Sequence, residues 1–298
     1  MIDINNIHNE DCIKFMQSEE FSENIDLAIV DPPYFRILKN QDWDKFTNIQ
    51  EYLEWSNTYI KLLVDKLRLN GTLLLFGCTR NFNVLSELNI ILEKNGMEFI
   101  QEIIIDKGMK SVAGRTSPNI KMLPPVSENI ILYRKNAKPF VKKLLKDKQI
   151  EYGKTSKEMN ELLGCQSNGG GNWTKYCGNT EFPLFLTEQH WNTLRDIFKI
   201  DMEYKEIQVT YNPIMGLTNV WNDVNFRIKN RKHPSEKPVG LAGRCLQIFS
   251  NEGDLVYLPF AGSGSEIEAC ILNNRKWIAT ETDKTYIDEI IIPRINNT

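Results

Sequence analysis

The apolar positions of this chain fall into short unbroken runs set between segments of helical spacing. "NIDLAIV" (24–30) is a branched apolar run of the kind a strand buried on both faces needs. It stops at "DPPY" (31–34), where two prolines exclude further sheet pairing or a helix interior. Over 48–68, Tyr52, Leu53, Trp55, Tyr59, Leu62, Leu63 and Leu67 recur at helical spacing, and "NGTLLLFG" (70–77) then predicts a turn and a buried strand. A second amphipathic helix is predicted over 82–94, ending at Asn95 and Gly96, followed by strands at 98–106 and 127–135. Strand–helix alternation of this kind predicts a parallel-rich α/β sheet, whose ligands collect at the carboxyl ends of its strands.

Residues 136–226 lack that alternation. "KTSKEMNELLG" (154–164) predicts a capped helix, "SNGGGNWTKY" (167–176) a glycine-rich loop and "TEQHWNTLRDIF" (187–198) another helix. After "HPSEKP" (233–238) alternation resumes, with a helix at 239–250, a strand at 254–260, a loop "AGSGS", a helix at 266–273 and a strand at 276–283. The organisation expected is therefore one α/β domain in two halves, 1–135 and 227–298, separated by a smaller, mainly helical module at 136–226.

With 298 residues, 41% of them apolar, the chain can build one sizeable core plus a small unit. No apolar run approaches the roughly 18–20 residues of a membrane helix, and the opening "MIDINNIHNEDC" has no signal core, so a soluble cytoplasmic protein is expected. Six scattered cysteines without a CxxC pair and three unclustered histidines predict reduced thiols and no metal site. The net charge of −3 opposes nucleic-acid binding only until its distribution is read. Residues 107–148 hold eleven Lys or Arg against Glu128 and Asp147, and 227–244 hold six against Glu236, whereas 1–60 hold twelve acids against four bases. Such asymmetry suits a one-sided polyanion-binding face, and equally a solvated surface.

Three constellations carry chemistry. In the first, Asp31, Pro32, Pro33 and Tyr34 form one rigid turn. An exocyclic ring amine is a poor nucleophile because its lone pair is delocalised. A carboxylate and a constrained carbonyl that accept its two N–H groups favour the tetrahedral geometry needed for attack, and an aromatic ring can stack on the base. In the second, "LPFAGSGS" (258–265) joins a strand to a helix through Gly262 and Gly264, and Glu281 follows at the end of the next strand. This series suits a nucleoside cofactor, with the acid on the ribose hydroxyls. The third glycine of a dinucleotide fingerprint is replaced by Ile267. In the third, "HPSEKP", Ser235 and Lys237 are candidates for a cofactor carboxylate, although chemistry alone reads this segment as a basic interdomain loop.

Together and in this order, DPPY, then the module, then HPSEKP and FAGSG, the motifs resemble the β-class of DNA amino-methyltransferases, with "NEDCIKFM" (9–16) similar to a further stretch upstream of DPPY. The resemblance implies a seven-stranded Rossmann-like methyltransferase sheet with circularly permuted motif order, S-adenosylmethionine as cofactor, and double-stranded DNA as partner. It also implies base flipping, because a stacked base cannot reach the 31–34 turn. Asp31, Pro32, Pro33 and Tyr34 become the catalytic residues. Asp11, Cys12, Asp31, Ser235, Lys237, Phe260, Ala261, Gly262, Ser263, Gly264 and Glu281 become the cofactor residues, with Asp11 and Cys12 beside the adenine. The module becomes a target-recognition unit. By analogy a homodimer and a cognate restriction endonuclease are further partners.

DPPY is more often seen in adenine-N6 enzymes and SPPY in cytosine-N4 enzymes, so N6 leads and N4 stays open. A catalytically weak sequence-specific binder, and methylation of RNA or a protein amide, are the alternatives of other classes. Leu258 stands where the family usually has Asp, which predicts weaker cofactor binding and a gain from Leu258→Asp. For DNA contacts, Lys107, Lys110, Arg115 and Lys121 in a basic loop and Lys154, Lys157, Asn168, Asn172, Lys175 and Tyr176 in the module are candidates. Trp55, Trp191, Trp221 and Trp277 are expected to be packing residues, while Trp173 divides evenly between packing and base contact.

Overall fold

The computed structural model describes residues 2–21, 24–37, 44–77, 82–108, 121, 123–165, 171–177, 186–226, 228 and 231–298. Two compact units emerge: Met1–Lys135 together with Thr210–Thr298, and Asn136–Val209. In chain order the first unit begins with β1 (Asn6–His8), α1 (Cys12–Gln17), β2 (Ile25–Val30), α2 (Ile49–Lys66), β3 (Leu67–Gly77), α3 (Phe82–Lys94), β4 (Met97–Asp106) and β5 (Ser127–Lys135). The second unit holds α4 (Lys138–Glu151), α5 (Ser156–Leu162), α6 (Asn172–Cys177) and α7 (Glu188–Phe198). The chain then returns to the first unit with β6 (Val220–Trp221), α8 (Val239–Phe249), β7 (Leu255–Leu258), α9 (Ser265–Leu272) and β8 (Lys276–Thr280). Three short consecutive helical pieces follow: Lys284–Tyr286, the π-helical Ile287–Ile291, and Ile292–Ile295.

The sheet order is β1-β8-β7-β2-β3-β5-β4-β6. From β1 to β3 all neighbours run parallel, whereas β5 is antiparallel to both β3 and β4. Successive residues of the central strands feed opposite faces, as the pleat requires. Ala28, Val30, Leu73, Leu75 and Tyr257 pack with α1, α2 and α3. Leu27, Ile29, Leu74, Phe76, Val256 and Leu258 pack with α8 and α9. Helices on both faces explain why β2 and β7 read as unbroken apolar runs.

Chain direction now fixes the position of a ligand crevice. From β2 the chain crosses through α2 to β3 on one side, and from β7 it crosses through α9 to β8 on the other. The adjacent carboxyl ends of β2 and β7 are therefore the topological switch point of the sheet, where a crevice opens. The prolines after β2 and the glycine loop after β7, more than two hundred residues apart in sequence, meet there.

Two local differences from expectation have physical causes. The helix over 48–68 ends at Lys66, and β3 begins at once, with a register shift opposite β2 between the Ile25↔Leu67 and Leu27↔Thr72 pairs. Asn70 takes a left-handed φ of 58° in that offset. A Cβ on Gly71 would lie 2.9 Å from the Arg68 carbonyl and 3.1 Å from that of Ile25, so only glycine fits. The middle module ends at Val209 rather than 226: residues 210–226 belong to the sheet unit. They supply β6, which pairs with β4 and makes an eighth strand where the resemblance implies seven. A two-residue strand leaves no periodicity to read.

Within the second unit, Leu145, Met159, Trp173, Trp191, Leu194 and Phe198 are buried together with their helices. The Asn160 side chain accepts the Trp173 N–H at 2.9 Å, and the Trp173 indole donates to Gln149 Oε1 at 3.0 Å. Among the described residues no helix is long and apolar enough to cross a membrane.

Candidate functional site

The strand β2 delivers Asp31 to the switch point, and the proline pair ends the strand there. The Tyr52 hydroxyl, projecting from α2, donates to the Pro33 carbonyl at 2.8 Å and anchors the turn from below. Phe35 and Arg36 then take successive left-handed φ values of 52° and 61°, a conformation that costs on the order of 1 kcal/mol or more per residue and here reverses the chain. The Arg36 N–H closes the reversal on Asp44 Oδ1 at 3.0 Å.

At this corner Lys237 Nζ donates to Asp31 Oδ2 at 2.7 Å and to the Tyr34 hydroxyl at 3.1 Å. The Tyr34 hydroxyl in turn donates to Asp31 Oδ1. The Lys237 ammonium lies over the rings of Tyr34 and Phe76, 5.4 and 5.3 Å from their centroids. Burial would lower the pKa of this ammonium, but the carboxylates of Asp31, Glu128 and Glu266 outweigh burial and raise it. Lys237, expected on a cofactor carboxylate, is bonded to Asp31 in this structure.

Asp11, Cys12, Asp31, Pro32, Pro33, Tyr34, Ser235, Lys237, Phe260, Ala261, Gly262, Ser263 and Glu281 all line one cleft of about 300 Å³. Gly262 takes φ +50°, and its N–H donates to Glu281 Oε2 at 2.8 Å. The other oxygen of Glu281 accepts the Asp283 N–H at 2.9 Å. Burial holds the Glu281 carboxyl above its ordinary pKa despite those donors. Phe260 meets Tyr59 edge-on at 5.3 Å and Trp55 at 5.8 Å, forming an aromatic wall. Asp11 also caps α1, accepting the N–H groups of Ile13 and Lys14 at 3.0 and 3.3 Å. Burial raises the Cys12 thiol well above its ordinary pKa, which leaves it a small apolar neighbour rather than a nucleophile.

Gly264 is outside this lining. It caps α9 at φ +73°, and a Cβ there would meet Ile291 at 3.2 Å, so this glycine serves helix packing. Leu258 is also absent from the cleft: it is 2% exposed within the apolar cluster of Ile29, Ile267 and Ala279. An aspartate there would be buried among hydrocarbon, which opposes the expected gain from Leu258→Asp.

His233, Glu236, Glu266, Trp55, Phe46 and Tyr286 line the cleft without having been singled out for it. His233 accepts the Ser235 N–H at 3.3 Å through Nδ1, and burial lowers its pKa so that the neutral ring is favoured. Its place beside Lys237 within "HPSEKP" was the available signal. Trp55, assigned to packing by its helical spacing, does both. Nothing in the sequence marked Glu266, which sits just beyond the glycine loop.

The polyanion-contact candidates divide. Lys107 is ion-paired to Glu128 at 2.8 Å and half-buried, so it is no open cation. Asn172 is turned to Cys165 Sγ at 3.2 Å, and buried Tyr176 bonds His190 Nδ1 at 2.7 Å, so both are packing residues. Trp173, buried as described, joins them. Lys121, Lys157 and Lys175 are exposed, and Lys154 is half-exposed beside Glu158 at 3.9 Å. Lys110, Arg115 and Asn168 lie outside the described residues.

Comparison with known proteins gives a consistent outcome. The DNA methylase family model (N6_N4_Mtase) matches residues 25–292. Type II methyltransferase M1.MboII of Moraxella bovis is 24% identical over 296 residues, covering 97% of this chain and 96% of its own. The solved M1.HpyAVI–SAM complex aligns with a TM-score of 0.58 at 17% identity, covering 98% of each chain. The cytosine-N4-specific PvuII DNA methyltransferase aligns at 0.53 and 14% identity, covering 98% of this chain and 91% of that one. The two structural likenesses are likenesses of fold.

Proposed function

The chain belongs to the N6/N4 DNA methylase family, and from that premise we propose that it methylates the exocyclic N6 of an adenine flipped out of duplex DNA, with S-adenosylmethionine as donor. The donor set of the cleft fits that cofactor. Glu281 stands at the end of β8, where ribose hydroxyls are recognised, and the Phe260 and Trp55 rings offer an apolar wall for the adenine. Bound there, S-adenosylmethionine supplies a methyl group on a positively charged sulfur.

The observation that carries this reading is the Asp31 corner, held by Lys237 and Tyr34 inside the cleft at the switch point. One N–H of the target amine is accepted by the Asp31 carboxylate. The Pro33 carbonyl is taken by Tyr52, so the second N–H falls to the Pro32 carbonyl. Donating to these two acceptors, the nitrogen draws its lone pair out of conjugation with the ring; the N–C bond forms as the sulfonium C–S bond breaks, and one amine proton leaves toward the Asp31 carboxylate. For a base to enter, the Tyr34 hydroxyl must release Asp31 Oδ1, which frees both the carboxylate oxygen and the ring that stacks on the base. Lys237 stays on Oδ2 and keeps the carboxylate aimed during that exchange.

Target reading is assigned to Asn136–Val209, whose Lys154, Lys157 and Lys175, with Lys121 of the sheet unit, offer charge to backbone phosphates. Incubation of duplex DNA with S-adenosylmethionine labelled in the methyl group, followed by nucleoside digestion, tests the reading. N6-methyladenine is the expected product. N4-methylcytosine would replace the base assignment, and no labelled nucleoside would overturn the activity.

A further inference from the structure

Each acid on the cleft wall except one is ion-paired, accepts two backbone N–H groups or lies in water. Asp31 holds Lys237, Glu281 accepts two backbone N–H groups, Asp11 caps α1, Glu236 is ion-paired to Arg294, and Glu10 is exposed. Glu266, at the start of α9, is the exception. It is only 8% exposed and faces the cleft. Among the described residues its side chain accepts the Ser265 hydroxyl at 2.9 Å and is drawn to its own backbone N–H, and it has no ion pair within 4.0 Å. Burial, followed by the neighbouring Asp31 charge, raises the pKa of its carboxyl. Lys237, the nearby cation, is already bonded to Asp31. Attraction from Lys237 offsets the burial of Glu266 only in part, a buried carboxylate without a direct ion pair is costly, and the cleft is the open side from which a second cation can arrive.

We propose that Glu266 is the counter-ion of the α-ammonium group of S-adenosylmethionine. The inference rests on S-adenosylmethionine being the methyl donor, as proposed above. Its position distinguishes it from the other acids. Glu281 marks the ribose end and Asp31 the reacting end, and Glu266 lines the same cleft from the first turn of α9, directly after the glycine loop that joins β7 to that helix.

S-adenosylhomocysteine and its desamino counterpart, S-adenosyl-4-thiobutyrate, differ only in that ammonium group, and calorimetric Kd values for the pair isolate its contribution. The wild-type protein is expected to prefer S-adenosylhomocysteine by about tenfold or more, the scale of one charge-assisted hydrogen bond. Glu266→Gln is expected to bring the two ligands to near-equal affinity while the desamino compound binds as before, and Glu266→Asp to restore part of the preference. Full discrimination by Glu266→Gln, or none by wild type, overturns the proposal. Binding of neither ligand nor S-adenosylmethionine by wild type instead overturns the donor assignment on which it rests.

Discussion

Replacing Lys237 with methionine keeps most of the stem's volume and deletes two donated hydrogen bonds, one of them to a carboxylate. The ammonium reaches Asp31 Oδ2 at 2.7 Å and the Tyr34 hydroxyl at 3.1 Å, and its side chain is 5% exposed. A hydrogen bond to a charged group contributes about 1.5–3 kcal/mol. If that interaction orients Asp31 in the transition state, kcat should fall roughly ten- to a hundredfold in Lys237→Met. Stability should also fall, by less than the 3–5 kcal/mol of a fully buried pair, because the Asp31 side chain is 16% exposed and water enters from the cleft; about 2 kcal/mol is expected. The lysine's contribution does not vary with pH near neutrality. The pKa of Lys237 is raised on folding, so its stabilising contribution is complete below the ordinary lysine value and is lost only as pH rises through the higher folded value. The loss in Tm should therefore be the same at pH 6 and pH 8. Single-turnover methylation and calorimetric cofactor binding, run side by side, check the assignment. Unchanged kcat with weakened cofactor affinity alone would refute it and return Lys237 to the cofactor carboxylate.

Asp31→Ala should abolish methyl transfer in the labelled-cofactor assay while leaving cofactor Kd within a few-fold, since Glu281 and the aromatic wall are untouched. Leu258→Asp, which buries a carboxylate among Ile29, Ile267 and Ala279, should lower stability by about 3 kcal/mol in urea unfolding and give no gain in cofactor affinity. Glu266→Gln should raise the Tm of the ligand-free protein at pH 8. That gain should fade toward pH 4, because the folded pKa of Glu266 is raised and the penalty of its ionised form vanishes once the carboxyl is protonated. Neutralising Lys157 and Lys175 together should flatten the slope of log K against log salt by about 1.8 on any duplex; a loss confined to one sequence would contradict a phosphate role.

The parts of this protein legible in its sequence are those set by nearest neighbours. Branched apolar runs dictated β2 and β7, two prolines dictated the stop after Val30, and Gly262 allowed the turn that brings its N–H to Glu281. From these, and from motif order, the α/β class and thirteen of the cleft-lining residues followed. What remained hidden depends on which distant segments meet. Lys237 reads in the chain as a basic loop residue, and only the adjacency of β2 and β7 brings it to Asp31. Gly264 looks identical to Gly262 in the motif, but a Cβ on it would meet Ile291, whereas one on Gly262 would meet His233. Tyr52 carries a helical period that says nothing of the carbonyl its hydroxyl reaches. Local pattern fixes backbone conformation and the face a side chain presents. A side chain's electrostatic partner is fixed by packing across the sheet, which no local pattern encodes.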